Sequence, residues 1–236
     1  MSIAENIARI RCQIDAAAKA AGRDPSDITL CAATKMNDGS RVRQAIAAGI
    51  TCCGENKVQE LTQKLSENAY EGSAVHFIGH LQTNKVKQVV GKVSLIQSVD
   101  SQRLLQAISK EAQKQGIVQD ILLEINIGQE ESKSGFSVDD IIPLLDDLAQ
   151  YPNIFVRGLM AIPPVCKNSG DNHKFFQEIR NLSVDIGAKK YDNVSMKILS
   201  MGMSDDFADA IACGSTMIRI GTAIFGARNY AIHPLG

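Results

Sequence analysis

Apolar residues recur along this chain in two alternating rhythms. Ile3, Ile7, Ile10 and Ile14 stand at helical spacing and predict an opening helix, closed by Ala21-Gly22 and then Pro25. After it, a short apolar run and a helical stretch repeat eight times. The strand-like runs cover residues 28–34, 51–53, 76–78, 95–99, 121–126, 154–160, 196–200 and 216–220. The helical patterns behind them cover 40–48, 58–66, 84–90, 101–115, 138–150, 172–186, 205–213 and 222–226. Strict β-α alternation implies an α/β fold with parallel strands joined by right-handed crossovers. Eight such units in about 200 residues fit a closed (β/α)8 TIM barrel with an extra N-terminal helix. A doubly wound open sheet more often carries GxGxxG after its first strand, and that signature is absent. Residues 162–165, Ile-Pro-Pro-Val, read as a loop and not as a linker, so the expectation is one domain over 1–236.

Alternation inside the runs says which way their side chains face. In the first strand, Ile28, Leu30 and Ala32 share one face, while Thr29, Cys31, Ala33 and Lys35 share the other. In the fifth, Ile121, Leu123 and Ile125 alternate with Leu122, Glu124 and Asn126; in the eighth, Ile218 and Ile220 alternate with Met217, Arg219 and Gly221. Each strand has an apolar face for the helices and an inner face that turns polar towards its C-terminal end. That pattern belongs to a barrel with a site at its top.

Composition removes several alternatives. Of 236 residues, 25 are basic and 26 acidic, so the net charge of −1 offers no electrostatic footprint for nucleic acid or an anionic membrane. No apolar run is long enough to span a bilayer, and the first residues do not resemble a secretory signal. The six cysteines form no CxxC pair, and the four histidines show no HExxH or clustered Cys/His spacing. Reduced thiols, a cytoplasmic protein and no metal site are therefore expected.

Lys35 is the first candidate for chemistry. It ends the first strand on the inner face, either as a solvated loop lysine or as an amine whose pKa is lowered by burial and a cationic neighbour. Such an amine forms a Schiff base with an aldehyde. Arg219, on the strand that closes against the first, supplies the cation. Arg219 itself needs acceptors: a salt bridge, as to Glu124, or a ligand atom such as a pyridine nitrogen. Glycine-bearing loops follow strands seven and eight, Ser200-Met-Gly-Met-Ser204 and Gly221-Thr-Ala223. Barrels bind phosphate there. Asp205 and Asp206 behind Ser204, read as a helix cap, would repel an anion, so phosphate is expected at Gly221, Thr222 and Ala223 with the Ser200 hydroxyl. Asn56 either bonds a ring substituent or caps a helix. His80 is a candidate acid/base, pocket-lining residue or cap, and Lys133 is either a solvated loop residue or a second amine on the rim.

Seven segments carry a resemblance over essentially the whole chain: Ala33-Thr-Lys35, Gly54-Glu-Asn-Lys-Val-Gln-Glu60, His76-Phe-Ile-Gly-His-Leu-Gln-Thr-Asn-Lys85, Ser132-Lys-Ser-Gly135, Gly158-Leu-Met-Ala-Ile162, Leu199-Ser-Met-Gly-Met-Ser-Asp-Asp206 and Ile218-Arg-Ile-Gly-Thr-Ala-Ile-Phe-Gly226. With these the chain resembles the pyridoxal phosphate homeostasis protein family, also described as proline synthetase co-transcribed proteins. The resemblance implies a barrel like the N-terminal domain of alanine racemase, with pyridoxal 5′-phosphate (PLP) on Lys35. It also implies Arg219 at the pyridine nitrogen and phosphate contacts from Ser200, Gly221 and Thr222. It further implies a carrier that influences vitamin B6 and amino-acid balance, with no catalytic residues and with apo PLP enzymes as conceivable partners. This chain departs from the family at Asn37, where a second lysine is frequent, which makes Lys133 the better candidate for a transfer amine.

Two enzymatic readings compete. A PLP-dependent amino-acid racemase or decarboxylase needs a further group on the far face of the cofactor, supplied in racemases by a second domain for which the residues after Ile220 are too few. A Schiff-base aldolase would use Lys35 and the phosphate loops but gives Arg219 no task. The sequence favours a carrier, expected to be monomeric because no long exposed apolar stripe is evident.

Overall fold

The structure is a computed structural model, described over residues 1–130, 134–165 and 170–226. Eight parallel strands close into a barrel in sequence order: β1 (Thr29–Ala33), β2 (Cys52–Glu55), β3 (Ala74–Phe77), β4 (Leu95–Val99), β5 (Gln119–Ile125), β6 (Ile154–Ala161), β7 (Val194–Ser200) and β8 (Met217–Ile220). β8 pairs back on β1, with Cys31 beside Arg219. The helices are α1 (Ile3–Ala20), α2 (Gly39–Ala47), α3 (Val58–Ser66), α4 (Gln102–Gln115), α5 (Val138–Asp146), α6 (His173–Ala188), α7 (Phe207–Ala212) and α8 (Thr222–Phe225). The expected TIM barrel with an extra N-terminal helix is the fold observed.

Local chemistry explains the element ends. α1 opens with a capping box: the Glu5 N–H donates to Ser2 Oγ at 3.2 Å, and the Ser2 N–H donates to Glu5 Oε2 at 2.7 Å. Its apolar stripe packs on α2, α7 and α8, and Asn6 donates to the Ile224 carbonyl at 2.9 Å. α4 ends at Gly116, which takes the left-handed conformation at φ 65°.

Three helices differ from their sequence patterns. Residues 84–90 do not form an α-helix; a 3-10 helix spans Thr83–Gln88, because buried Val86 and Val89 stand three apart and a three-residue turn aligns them on one face. The stretch 138–150 breaks after Asp146 and resumes as a 3-10 turn, Leu148–Gln150, that fully buries Leu148. α7 starts at Phe207 with Asp206, not Ser204, as its N-cap residue. The Asp206 carboxylate accepts from Met203 N at 2.7 Å and from Asn172 Nδ2 at 2.9 Å, tying it to the preceding loop and to the residue before α6.

The strand faces are those the alternation predicts. Leu30, Ala32, Ile121, Leu123, Ile125, Ile218 and Ile220 join the large core between sheet and helices. Inside the barrel are two small clusters, Cys31, Cys52 and Met217, and Leu95, Leu122 and Met160. Burying most of this apolar surface outside the sheet leaves the lumen free for polar side chains. Among the described residues, no helix is long and apolar enough to cross a membrane.

Candidate functional site

A cavity of about 550 Å³ opens where the strands end. Ala33 lines it from β1 and Lys35 from the turn that follows, Asn56 from the turn after β2, and Arg219 from β8. Gly221, Thr222 and Ala223, at the start of α8, face them, with Met203, Ser204 and Asp205 beside these from the loop after β7. The first turn of a helix has N–H groups without intrahelical acceptors, so this corner offers donors. A Cβ on Gly221 would stand 3.4 Å from both the Cβ and the carbonyl oxygen of Ala33; glycine and alanine together keep the cavity floor open.

Lys35 and Asn56 are positioned by a buried ionic network that the sequence reading did not find. Lys64, on α3, is 4% exposed. Its Nζ lies 2.6 Å from Glu55 Oε2 and 3.1 Å from Glu60 Oε2, and donates to the Thr34 carbonyl at 2.9 Å. Glu55 Oε2 also accepts from Thr34 Oγ1 at 3.0 Å and from the Tyr70 hydroxyl at 3.2 Å, while Oε1 takes the Asn56 N–H at 2.8 Å. Glu60 Oε2 accepts from Met36 N at 2.7 Å, holding Met36 at φ 58°, a conformation unfavourable for a residue with a side chain. The residues on either side of Lys35 are thereby clamped. Burial raises the Tyr70 phenol, and the Glu55 carboxylate adds to the rise. The one sequence signal was Glu60 and Lys64 at helical i, i+4 spacing.

Asn56 is not a helix cap: the cap position of α3 is Lys57. Its Oδ1 is buried without a hydrogen-bond partner among the described residues, and it lies on the cavity wall. Gly79 allows this placement, since a Cβ there would stand 2.1 Å from the Asn56 carbonyl oxygen. Asn37 also lines the cavity; its Nδ2 donates to the Lys35 carbonyl at 3.0 Å and its Oδ1 accepts from Arg41 Nε at 2.9 Å.

Arg219 is 5% exposed, and among the described residues it is held by hydrogen bonds and not by a salt bridge. Nη1 donates to Ser200 O at 2.7 Å and Ser200 Oγ at 2.6 Å, and Nη2 donates to Ala161 O at 3.0 Å. Burial lowers its pKa, while Cys31, Glu124 and Asp206 oppose the shift. The Ser200 hydroxyl, expected in a phosphate cradle, is fully buried and donates to Gln97 Oε1 at 2.6 Å; it does not line the cavity. Ser200 holds the arginine. Ser204, which the sequence reading gave to a cap, lines the cavity because Asp206 has taken the cap position.

The remaining candidates lie to one side. His80 is exposed, its Nδ1 2.9 Å from Asp100 Oδ2, and it lines a neighbouring cavity of about 310 Å³ that shares Asn56, Ile78 and Ile162 with the first. Glu124 lines that second cavity; burial pushes its carboxyl up to about 7, with Asp100 adding and Arg219 opposing. Lys133, like Cys166 and His233, lies outside the described residues.

The lumen beneath the mouth holds a further polar cluster. Spacing along the chain shows no metal-type grouping, yet the barrel brings Cys31, Cys52 and His76 together, buried, with ligand atoms all within 4.8 Å of one another. They come from three adjacent strands, so no motif announces them. Within the pair of thiols, Cys52 holds Cys31 below the usual thiol range and Cys31 pushes Cys52 above it; burial opposes the fall at Cys31 and adds to the rise at Cys52.

A barrel with a lysine just past its first strand and an arginine on its last strand, both at one cavity, defines a class of protein. The matching family model, alanine racemase, N-terminal domain, covers residues 5–229. The pyridoxal phosphate homeostasis protein of Aquifex aeolicus is 40% identical over 230 residues, 98% of this chain and 100% of that protein. That of Pseudomonas aeruginosa is 40% identical over 229 residues, 97% of each. The solved structure of PipY from Synechococcus elongatus with PLP bound has a TM-score of 0.83 at 30% identity, over 95% of this chain and 100% of that one. The chain belongs to the pyridoxal phosphate homeostasis protein family, within the alanine racemase N-terminal-domain fold. These relatives are named for cofactor homeostasis and not for a catalysed reaction.

Proposed function

We propose that this chain binds PLP at the barrel mouth and carries or buffers it inside the cell, as a single-domain, monomeric protein that catalyses no reaction of its own. The observation that carries this reading is the convergence of Lys35, Arg219, Asn56 and Gly221–Ala223 on one cavity of about 550 Å³. The residues fit the group. The buried, unpartnered Asn56 Oδ1 awaits a donor, and the small residues at 33 and 221 leave space a larger side chain would fill. PipY, described with PLP bound, supports the same assignment here.

When bound, PLP supplies an aldehyde that an amine can hold and a pyridine ring that can draw in electrons. Lys35 provides the amine, fixed by the Glu55–Lys64–Glu60 network through Thr34 and Met36. Asn56 accepts from a ring substituent. Thr222, with the backbone N–H groups of Gly221 to Ala223 and the Ser204 hydroxyl, faces the anionic phosphate. Ser200 acts one step back, orienting Arg219. A guanidinium only donates hydrogen bonds, so a ring nitrogen held against Arg219 would stay unprotonated and the ring would be a weak electron sink. Among the described lining residues there is no histidine, tyrosine or cysteine, and the one carboxylate is that of Asp205 in the loop after β7, so candidates for a second base against Lys35 are few. Both features favour holding the cofactor over transforming substrates with it. Apo PLP-dependent enzymes are the recipients this reading implies, with Lys133 as a further amine along the route.

Visible absorbance of the protein loaded with PLP is expected to vanish in Lys35→Ala, and the loaded protein is expected to activate an apo PLP enzyme faster than free PLP dilution allows. Robust racemisation or decarboxylation of any amino acid would overturn the carrier reading in favour of an enzyme.

A further inference from the structure

One polar cluster in the lumen has no part in holding the cofactor. We propose that Cys31, Cys52, His76 and Met217 form a buried site for one Cu(I) ion inside the barrel, below the mouth. Around a single ion with bonds of about 2.3 Å to sulfur and about 2.0 Å to nitrogen, ligand atoms stand roughly 3.4–3.8 Å apart. Cys52 Sγ lies 3.4 Å from His76 Nδ1 and 3.8 Å from Nε2, already at that spacing. Cys31 Sγ falls within the same 4.8 Å group. Met217 packs on both cysteines, and its sulfur and His76 Nδ1 both touch Gln97 Nε2, at 3.1 and 2.9 Å. Three ligand atoms thus share one small volume, with Met217 packed in the same cluster; Cys31 is fully buried, and Cys52, His76 and Met217 are 3%, 7% and 4% exposed.

Charge and softness select the metal. Two thiolates bring −2 into the barrel, and Arg219, beside Cys31 on the adjacent strand, brings +1. A monovalent ion makes the buried group neutral; a divalent one leaves an uncompensated positive charge in a low-dielectric interior. A thioether beside two thiolates also suits Cu(I), whereas zinc sites are built from thiolate, imidazole and carboxylate. Loading replaces two S–H bonds with two copper–thiolate bonds, adds dative bonds from the His76 nitrogen and the Met217 thioether, and releases both thiol protons to solvent, with no change of oxidation state. Gln97 supplies the adjustment: turning its amide by half a revolution presents Oε1 to a His76 Nδ1–H, leaves Nε2 of the imidazole for the ion and frees the Met217 sulfur from its N–H contact. Ser200, now bonded to Gln97 Oε1, would accept from Nε2 in its place.

The test uses the full chain, reduced and under anaerobic conditions, with Cys12 and Cys166 replaced (C12S, C166S), which removes two of the four thiols outside the site and leaves the buried Cys53 and Cys213. Cu(I) offered as its bicinchoninate complex is expected to be withdrawn to one equivalent per chain, with X-ray absorption showing sulfur and imidazole neighbours. Cys31→Ser combined with Cys52→Ser is expected to lower the affinity at least ~100-fold, more than loss of an outer-shell partner does. Because that pair lies in the core, circular dichroism checks its fold, and Met217→Leu, close in volume, provides an independent arm. It is expected to weaken Cu(I) about tenfold, the size of one weak ligand, while leaving Zn(II) affinity unaltered. Undiminished Cu(I) uptake in a folded double-serine variant, unchanged Cu(I) affinity in Met217→Leu, or Zn(II) held as tightly as Cu(I) would each overturn the assignment.

Discussion

Two glutamates at the same rim have opposite surroundings. Glu55 closes β2 and Glu124 stands next to the last residue of β5. Behind β2, α3 sends back Lys64, and Thr34, Tyr70 and the Asn56 N–H complete the shell of Glu55. Behind β5, no described donor holds the Glu124 carboxylate; burial pushes it up to about 7 and Asp100 lies near enough to add to the rise. The first carboxylate is structural, fastening the segments that carry Lys35 and Asn56. The second is a titrating wall of a side cavity. Position at a strand end does not decide which role a carboxylate takes; the helix behind it does.

The comparison breaks most severely at Lys64. Lys64→Met leaves Glu55 buried and unpaired, and urea denaturation is expected to show a loss of about 3–5 kcal/mol with weakened PLP retention. A loss below about 1 kcal/mol would mean the network is not what fixes this side of the rim.

Glu124 sharpens the other half. Its folded pKa, about 7, lies above the ordinary 4.5, so the folded state binds the extra proton between those values. The resulting stabilisation is fully present below pH ~4.5 and is lost as pH rises through ~7, an effect on the order of 3 kcal/mol. Glu124→Gln is expected to remove that slope, so that wild type and variant diverge with rising pH in parallel denaturation series. Superimposable pH profiles would place the glutamate in ordinary solvent.

The smallest effect belongs to Thr34→Val. It deletes one of several donors to Glu55, keeps the shape, and is expected to cost about 1–1.5 kcal/mol in the same denaturation assay. An effect as large as that of Lys64→Met would shift the weight of the network from charge to the hydroxyl.

Much of this was legible in the chain. Alternation placed Lys35 and Arg219 inward on β1 and β8, and closure makes those strands neighbours. Glycines after the last strand marked the open corner of the cavity. What was not legible came from contacts across the barrel. Ser200 read as a cradle residue because its loop followed β7, but its hydroxyl lies at the layer of Gln97 and Arg219. Ser204 read as a cap because serine before two aspartates is a common helix start; Asp206 took the cap position once Asn172 and Met203 N were within its reach.

Element order, barrel closure and the inward face of each strand could be read from the chain alone, because they follow from periodicities of two and 3.6 that local covalent geometry imposes. Which polar groups meet was set by the folded arrangement. Lys64 finds Glu55 nine residues away, and Cys31, Cys52 and His76 converge from three strands, because pairing register, barrel closure and the cost of burying an unpaired polar group act between residues that no local rhythm connects.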